Sequence, residues 1–476
     1  MSTATDTPPV GPINRFFKIT ERNSTYFREF RGGVATFFTM AYIIVLNPII
    51  LGSGADMLGH HLSKTALVTS TALVAGVMTL IMGLGGKLPL AIAAGLGLNG
   101  VVAFQIAPHM TWPDAMGLVV IEGLAICLLV VTGLREAIMN AIPLALKQAI
   151  AVGIGLFIAF IGFVDAGFVT RIPDKSDTTV PVQLGSSGTL TGWPTVVFCL
   201  GVLLTMVLLA RRVKGAILIS IVAMTVLSVI INTVANVNPL SWGLTVPDYH
   251  GIFAKPDFSL IGKFNLIGGF THAGVITAVL FIFTLILSDF FDAMGTIIGV
   301  SNEAGLLDKN GRLPGIGRVL FIDGLAAVAG GAGSASSNTC FVESAAGVGE
   351  GARTGFANLV TGAMFLLATF LTPLATVVPS AAAAPALVAV GFLLMVQARD
   401  IPWTDYQVAI PAFLTIILMP FTYSITNGIG AGVISYVVLQ ITAGKAHRVH
   451  WLLWIVAALF VVYYGINPVQ SWIGVH

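Results

Sequence analysis

Long apolar stretches recur along almost the entire chain, and no other feature constrains its fold as strongly. A helix that spans a bilayer needs about 20 mostly apolar residues. Hydrophobic residues make up 56% of the 476 positions and charged residues only 9%, whereas about 25% of an average soluble protein is charged. The sequence therefore predicts an all-α polytopic membrane protein in contact with a lipid bilayer. Its apolar windows lie near 33–51, 66–86, 88–107, 114–134, 142–164, 192–210, 214–235, 270–300, 315–332, 335–350, 354–372, 379–397, 405–424 and 427–443, with one more at 450–467.

The positive charges in the short loops predict the orientation of the chain. Cytoplasmic loops carry an excess of Lys and Arg. Such residues precede the first span and follow several even-numbered spans, as Arg28, Arg211 and Lys309 illustrate. The first 30 residues lack the apolar segment of a removable signal peptide. We therefore expect a multi-pass protein of the plasma (inner) membrane whose N-terminal tail, residues 1–30, is cytoplasmic.

Charge and cysteine usage exclude several classes of function. The net charge is +2, and no basic stripe with interleaved aromatic residues occurs, so no nucleic acid is expected as a partner. Cys127, Cys199 and Cys340 stand in apolar or small-residue stretches, which indicates buried reduced thiols. No Cys/His cluster has the spacing of a metal site. We expect no metal and no cofactor.

Two segments rich in glycine and small polar residues interrupt the apolar pattern at matching positions of two halves. They are 85–99 and 330–347, each the third element in a set of seven, and their polar residues Asn99 and Glu343 lie about half the chain apart. Paired interruptions of this kind indicate an inverted-repeat transporter with its site at the bilayer midplane. The alternative is a pair of surface loops, but Glu343 inside such a segment favours a cavity.

Backbone polar groups at membrane depth must be satisfied by protein or line a cavity. Residues 88–93 and 337–342 are therefore predicted to pair as two short antiparallel strands. Each strand would lead into a half-helix, and the positive N-terminal ends of both half-helices would point toward the substrate.

Acidic residues within the spans form a second group of candidates, because a carboxylate at the bilayer centre is costly unless it is paired or faces water. Asp289 and Asp292 lie three apart and share one helix face. Two like charges this close do not both ionise cheaply, so a proton is expected on one of them. A proton-coupled carrier needs such a group. The alternative for Asp292 is a hydrogen bond to the backbone of the neighbouring broken segment.

Four further carboxylates are given structural roles. Glu122, Asp165 and Asp323 are single carboxylates near span ends or on glycine-flanked faces. Glu350 follows Glu343 by two helical turns, but its neighbour Arg353 indicates an ion pair rather than a ligand contact.

At this point the motifs resemble a known family. The chain, from about residue 15 to 445, resembles the nucleobase-cation symporter superfamily of the nucleobase/ascorbate transporter type, specifically its adenine/guanine/hypoxanthine permease branch. The motifs that carry this resemblance lie at 32–48, 95–100, 133–138, 289–296 and 343–350.

The resemblance implies a seven-plus-seven inverted repeat of about 14 spans, in which a core domain moves against a gate domain in an elevator-like manner. A possible homodimer and a possible extra C-terminal helix complete this expectation. The implied boundaries are 31–136 and 266–372 for the core, 137–240 and 373–444 for the gate, and 445–476 for the C-terminal apolar segment.

The resemblance also implies roles for individual residues. Asp289 and Glu343 would bind a purine, and Asn99 would shape the site. Phe341 stands where the wider superfamily places an aromatic ring against the flat base. The neighbouring positions Ser344, as a substrate contact, and Asp292 and Thr296, as site support or proton coupling, complete the predicted set.

The residue types suit such a substrate. A purine presents N–H donors along one edge, and a carboxylate can accept two parallel hydrogen bonds from it. The predicted function is therefore import of hypoxanthine, guanine or adenine, with H⁺ as the coupling ion.

Three alternative functions fit these residues less well. An anion transporter of the same fold, for sulfate or bicarbonate, would favour a cation at the site, and Glu343 argues against it. An intramembrane aspartyl protease needs two carboxylates that share one proton, usually from separate helices, whereas Asp289 and Asp292 lie on one. A channel would show rings of pore-lining charge, and none is visible.

Overall fold

The computed structural model describes residues 11–133, 142–172, 181–186, 188–235, 237–242, 246–249, 251–308 and 313–473. Seven membrane elements occupy the first half of the chain, and we number them as spans. Span 1 is Tyr26–Met40 with Ile43–Ser53, span 2 is Lys64–Ile81 and its π-helical extension Met82–Gly86, span 3 is strand β1 (Ile92–Ala94) with Leu96–Val101 and Val102–Ile106, span 4 is Trp112–Thr132, span 5 is Leu144–Asp165, span 6 is Trp193–Ala210 and span 7 is Ala216–Ala235.

Seven corresponding elements follow in the second half. Span 8 is Val275–Glu303, span 9 is Ile316–Ala332, span 10 is a strand at Asn338–Cys340 with the short helix Ser344–Gly349, span 11 is Phe356–Ala368, span 12 is Ser380–Met395, span 13 is Tyr406–Phe421 and span 14 is Ile425–Thr442. Shorter helices lie at Pro12–Phe17, Gly268–His272 and Thr372–Thr376. Among the described residues, eight helices are both long and apolar enough to cross a membrane.

The two interrupted spans meet as predicted. Strand β1 pairs antiparallel with the strand of span 10, and Ala93 lies opposite Thr339. Because each strand leads into a helix, the antiparallel pairing sends the two half-helices in opposite directions, as an inverted repeat requires. The first strand is shorter than the predicted 88–93, because Pro89 lacks an N–H and the carbonyl of Leu90 bonds to a side chain instead.

One sheet was not predicted. The polar loop after span 5 contains strands β2 (Val169–Arg171) and β3 (Val182–Leu184), which pair antiparallel, so the strand of span 10 is β4. Valine and threonine favour extended backbone, and the alternation in both short strands was too brief to be recognised in the sequence.

Small residues let helices of the two halves approach closely. Span 4 packs against span 9 and span 5 against span 12. At Gly155 of span 5, a Cβ atom would lie 2.8 Å from the carbonyl oxygen of Gly391 in span 12. Such contacts are typical of membrane helix pairs. The boundaries of the core and gate domains stay predictions.

The C-terminal apolar segment forms the helix Trp451–Ile473. It packs along span 14, where the hydroxyl of Tyr464 donates to the carbonyl of Asn427 at 3.0 Å. A Cβ atom at Gly430 would lie 2.5 Å from the ring of Phe460, so this helix fits closely against the repeat.

Candidate functional site

The irregular backbone of span 3 is satisfied by side chains of neighbouring spans. The Thr79 hydroxyl accepts from the N–H of Ile92 and lies 3.0 Å from its carbonyl oxygen. The amide of Asn358 donates to the carbonyl of Leu90 at 2.6 Å. Burial without these partners would cost several kcal/mol for each group at this depth. The interruption of span 3 is therefore stabilised by specific side-chain hydrogen bonds.

Span 10 is held in the same way. The carboxylate of Asp323 on span 9 accepts from the Cys340 N–H at 2.9 Å and from the Thr339 hydroxyl at 3.3 Å. The Ser337 hydroxyl donates to Glu122 on span 4 at 3.1 Å. Both carboxylates thus take the structural part predicted for them, and they bind the strand that precedes Glu343.

The turn before β4 contains strained backbone. Ser334 and Ser336 have φ angles of 55° and 65°, a left-handed conformation that residues with a side chain rarely adopt. The amide of Asn47 donates to the intervening carbonyl of Ala335 at 3.1 Å. Strain of this kind persists where surrounding contacts hold it, often beside functional sites.

Asp289 and Asn99 are both 0% exposed. Among the described residues, neither polar atom of the Asn99 side chain has a hydrogen-bond partner, and neither oxygen of Asp289 makes a hydrogen bond of good geometry. The Thr339 hydroxyl lies near Asp289 but bonds to Asp323 at 3.3 Å. Because buried polar atoms are nearly always paired, these four atoms indicate a position that a polar ligand or water fills.

Asp292 and Glu343 are more accessible. Asp292 is exposed, although it lies only one turn from the buried Asp289, and Glu343 is half-buried. Span 8 runs toward the side of the N-terminal tail, so Asp292 lies one turn nearer to that side than Asp289. Asp292 and Glu343 are also electrostatic neighbours.

The structure adds two carboxylates to this group. Asp323 and Glu122 are the strongest charged neighbours of Asp289. Their proximity to Asp289 could not be predicted from sequence spacing, since they lie on spans 9 and 4. Together with Asp292 and Glu343 they form a cluster of five carboxylates, which we call the acidic cluster.

Three other predicted residues take varied positions. Phe341 is 7% exposed and its N–H donates to the Ala91 carbonyl at 2.9 Å. The Ser344 hydroxyl accepts a hydrogen bond from the Ala91 N–H at 3.0 Å, so its oxygen is already bonded to the backbone that leads into β1 of span 3. Thr296 is buried one turn beyond Asp292 on span 8. Their roles toward a substrate stay predictions.

Glu350 forms an ion pair, but not with the residue that the sequence suggested. Its carboxylate binds Arg31 of span 1, with Nε–Oε2 at 2.8 Å, and Lys214 between spans 6 and 7. The Lys214 ammonium lowers the pKa of the Glu350 carboxyl below its ordinary value. Arg353 instead donates to the carbonyls of Val348 and Ala352, because the chain turns at Gly351 and carries the arginine away from Glu350.

The opposite side of the site is closed by contacts between spans 3 and 14. The side-chain oxygen of Gln105 accepts from the Thr426 N–H and hydroxyl, both at 3.2 Å, and from the Ser424 hydroxyl at 3.4 Å. The ring of Tyr423 packs beside Phe104 and Phe157, with centroid distances of 5.8 and 5.2 Å. We call these residues the distal closure, because they lie away from the N-terminal tail.

No group of three His, Cys, Asp or Glu residues among the described residues has the arrangement of a metal site. All three cysteines are free. The groups that the described residues bring to the candidate site are the carboxylates of the acidic cluster and the amide of Asn99.

Comparisons with known proteins identify the family of the chain. A family model described as a permease family matches residues 27–431. The guanine/hypoxanthine permease PbuG of Bacillus subtilis is 37% identical over 457 residues, which cover 95% of this chain and 99% of that protein. The adenine permease AdeP of Escherichia coli is 36% identical over 465 residues, covering 96% and 97% of the two chains.

Solved structures of distant proteins share the fold. The transmembrane domain of the cyanobacterial bicarbonate transporter BicA has a TM-score of 0.58 at 16% identity, covering 88% of this chain and 97% of that chain. SLC26A9 has a TM-score of 0.60 at 11% identity, covering 88% and 65%. At these identities the likeness concerns the fold alone, and it confirms the seven-plus-seven inverted repeat.

The family match over most of the chain and the identity with full-length permeases confirm the resemblance and exclude the protease alternative. The chain therefore belongs to the permease family of nucleobase transporters, in its adenine/guanine/hypoxanthine branch, and is a multi-pass membrane transporter.

Proposed function

We propose that the protein imports purine nucleobases across the plasma membrane together with protons, with its N-terminal tail on the cytoplasmic side. The names of its relatives support a guanine, hypoxanthine or adenine substrate. The observation that carries the proposal is the set of buried polar atoms without well-formed hydrogen bonds on Asp289, a member of the acidic cluster, and on Asn99, whose half-helix packs against span 8.

The chemistry of the cluster matches an uncharged base. Purines carry N–H groups that donate to carboxylates, and such charge-assisted hydrogen bonds are stronger than neutral ones. Asn99 supplies both a donor and an acceptor, so it can meet the ring nitrogens or exocyclic groups of a base. A bare anion would be repelled by five carboxylates, so the anion transporter of the same fold is not favoured.

The acidic cluster also supports proton coupling. Asp289 interacts with Asp323, Glu122 and Asp292, and all of these charges have the same sign. Like charges at close range keep at least one proton bound. A proton that enters with the substrate and leaves on the other side would couple uptake to the proton gradient.

The difference between the two ends of the candidate site supports an alternating-access mechanism. The distal closure joins span 3 to span 14, whereas Asp292 is exposed and Glu343 is half-buried. Span 3 belongs to the predicted core domain and span 14 to the predicted gate domain. An elevator-like movement of the core would break the distal closure and expose the site on the opposite side. Assembly as a homodimer is part of the same proposal.

The test is uptake of radiolabelled hypoxanthine, guanine and adenine by a purine-transport-deficient bacterium that expresses the protein. Uptake of at least one base is expected to rise as the external pH is lowered from about 8 to 6, and to fall when a protonophore collapses the gradient, because the coupling proton comes from outside.

The control is the same strain that expresses Asp289→Asn at equal membrane levels. Purine uptake that requires Na⁺ and ignores both pH and the protonophore would contradict proton symport but not the substrate. Absence of uptake of all three bases would contradict the proposed function.

A further inference from the structure

Span 1 is interrupted next to Glu343. Its two helices end at Met40 and begin again at Ile43, and Tyr42 stands in the interruption. The Tyr42 side chain is 1% exposed, although tyrosine usually keeps its hydroxyl near water or a partner.

The partner of Tyr42 is Glu343 itself. The Tyr42 hydroxyl donates a hydrogen bond to Oε1 of Glu343, across 301 positions of the sequence. Among the described residues, this hydroxyl is the side-chain donor that the Glu343 carboxylate has. A carboxylate has about four acceptor positions on its two oxygens, so this bond engages Oε1 and leaves Oε2 for another donor.

The backbone around Glu343 is held to the same span. The helix Ser344–Gly349 lies so close to span 1 that a Cβ atom on Gly347 would be 2.5 Å from the carbonyl oxygen of Gly32 and 2.2 Å from Oγ1 of Thr36. The Thr39 hydroxyl approaches the carbonyl oxygen of Glu343 to 3.4 Å. Span 1 thus contacts the half-helix along its length and meets Glu343 at both backbone and side chain.

We infer that Tyr42 is a positioning residue for substrate binding, which acts by fixing the orientation of the Glu343 carboxylate. This inference rests on the proposed function. A free glutamate side chain has several rotamers, and ordering it on binding reduces affinity. The hydrogen bond from Tyr42 orders the carboxylate beforehand and leaves Oε2 available to accept from the N–H edge of a purine, on a residue that is an electrostatic neighbour of Asp292.

The test compares purified wild-type protein with Tyr42→Phe, which removes the hydroxyl and keeps the ring that packs in the core. Purine affinity, measured by equilibrium binding of radiolabelled hypoxanthine, guanine and adenine, is expected to fall about tenfold, the factor of one charge-assisted hydrogen bond. The matched control Tyr436→Phe, on span 14, is expected to stay within about twofold of wild type.

A second measurement needs no purine. The unfolding midpoints of wild type, Tyr42→Phe, Glu343→Gln and the double variant form a mutant cycle, and non-additive shifts are expected because the two side chains are bonded. Additive shifts of the unfolding midpoint, or unchanged purine affinity in Tyr42→Phe, would contradict the role of Tyr42. Neither result would contradict the proposed function. Failure of wild type to bind any purine would overturn the proposed function, and with it the role of Tyr42 in purine binding.

Discussion

Asp289 and Asp292 lie three residues apart on one helix face, yet the fold gives them different surroundings. Asp289 is 0% exposed, and in the described part of the chain its two oxygens make no hydrogen bond of good geometry, whereas Asp292 is exposed. A substrate that enters along Asp292 and reaches Asp289 would satisfy those oxygens. This difference supports Asp289 as the deeper ligand contact and Asp292 as a residue nearer to the entrance.

The principal carboxylates can be tested one at a time. Asp289→Asn and Glu343→Gln keep the shape of each side chain but remove its charge. If both accept hydrogen bonds from the base, each change should weaken purine binding by about 10- to 100-fold, since a hydrogen bond to a charged group is worth roughly 1.5–3 kcal/mol. Binding is measured on purified protein, and size-exclusion chromatography verifies folding.

Glu350→Gln is the matched control for this pair. Glu350 follows Glu343 on the same half-helix, but its carboxylate binds Arg31 and Lys214 rather than the cavity. Its purine affinity should remain that of wild type. Wild-type affinity in both Asp289→Asn and Glu343→Gln would show that these carboxylates do not hold the base.

At the scale of elements, the two interrupted spans depend on side chains from elsewhere in the fold. β1 and β4 exchange only a short ladder with each other. Backbone groups that this ladder leaves unpaired form hydrogen bonds with the side chains of Thr79, Asn358 and Asp323. Because nothing else at membrane depth would satisfy these groups, the anchoring side chains determine whether Glu343 is held in place.

Asp323 offers the clearest test of this anchoring. Asp323→Leu leaves the Cys340 N–H buried without its acceptor, which costs about 1–3 kcal/mol, so the thermal unfolding midpoint should fall. Asp323→Asn retains a carbonyl oxygen and should stay closer to wild type. The measurement is a melting curve of detergent-solubilised protein. Equal midpoints for the leucine variant and wild type would mean that Asp323 does not anchor β4.

At the scale of the whole molecule, two sets of contacts connect the predicted core to the predicted gate. Glu350 and Lys214 form an ion pair on the side of the N-terminal tail, and the distal closure connects Gln105 to Thr426 on the other side. The Glu350 side chain is 24% exposed, and salt screens such an accessible pair. The buried contacts of Gln105 are screened less and are expected to determine which side stays closed.

Opening of the distal closure can be followed by cysteine labelling. Thr284 is buried beneath it, with its hydroxyl 3.4 Å from that of Thr426. Gln105→Leu removes the acceptor for the Thr426 N–H and should shift the protein toward the state open on that side. A single cysteine at Thr284, with Cys127, Cys199 and Cys340 replaced by alanine, should then react faster with a membrane-impermeant maleimide added outside cells.

The same cysteine with Gln105 retained provides the baseline rate. A second control carries the same cysteine together with Gln407→Leu, which also removes an amide side chain. Gln407 lies at the start of span 13, away from the distal closure, and its side chain contacts Lys445. Unchanged labelling in Gln105→Leu would mean that Gln105 does not keep that side closed.

The apolar spans, their division into two sets of seven and the pairing of the interrupted segments could all be predicted from the sequence. These features follow from local composition, because a bilayer accepts only apolar helices or backbone whose polar groups are satisfied. Asn99 and Glu343 could be identified for the same reason, since each stands in an interruption that composition alone reveals.

Which distant side chains meet depends on how the helices pack, and this could not be predicted from the sequence. Glu122 and Asp323 looked isolated in the sequence, and Glu350 seemed to belong with Arg353, because spacing along one helix says nothing about the helix packed against it. Tyr42 could not be identified as a site residue from the sequence, because aromatic residues are common in apolar spans. Its hydrogen bond to Glu343 depends on how span 1 and span 10 pack, and that packing depends on close approach at Gly32 and Gly347.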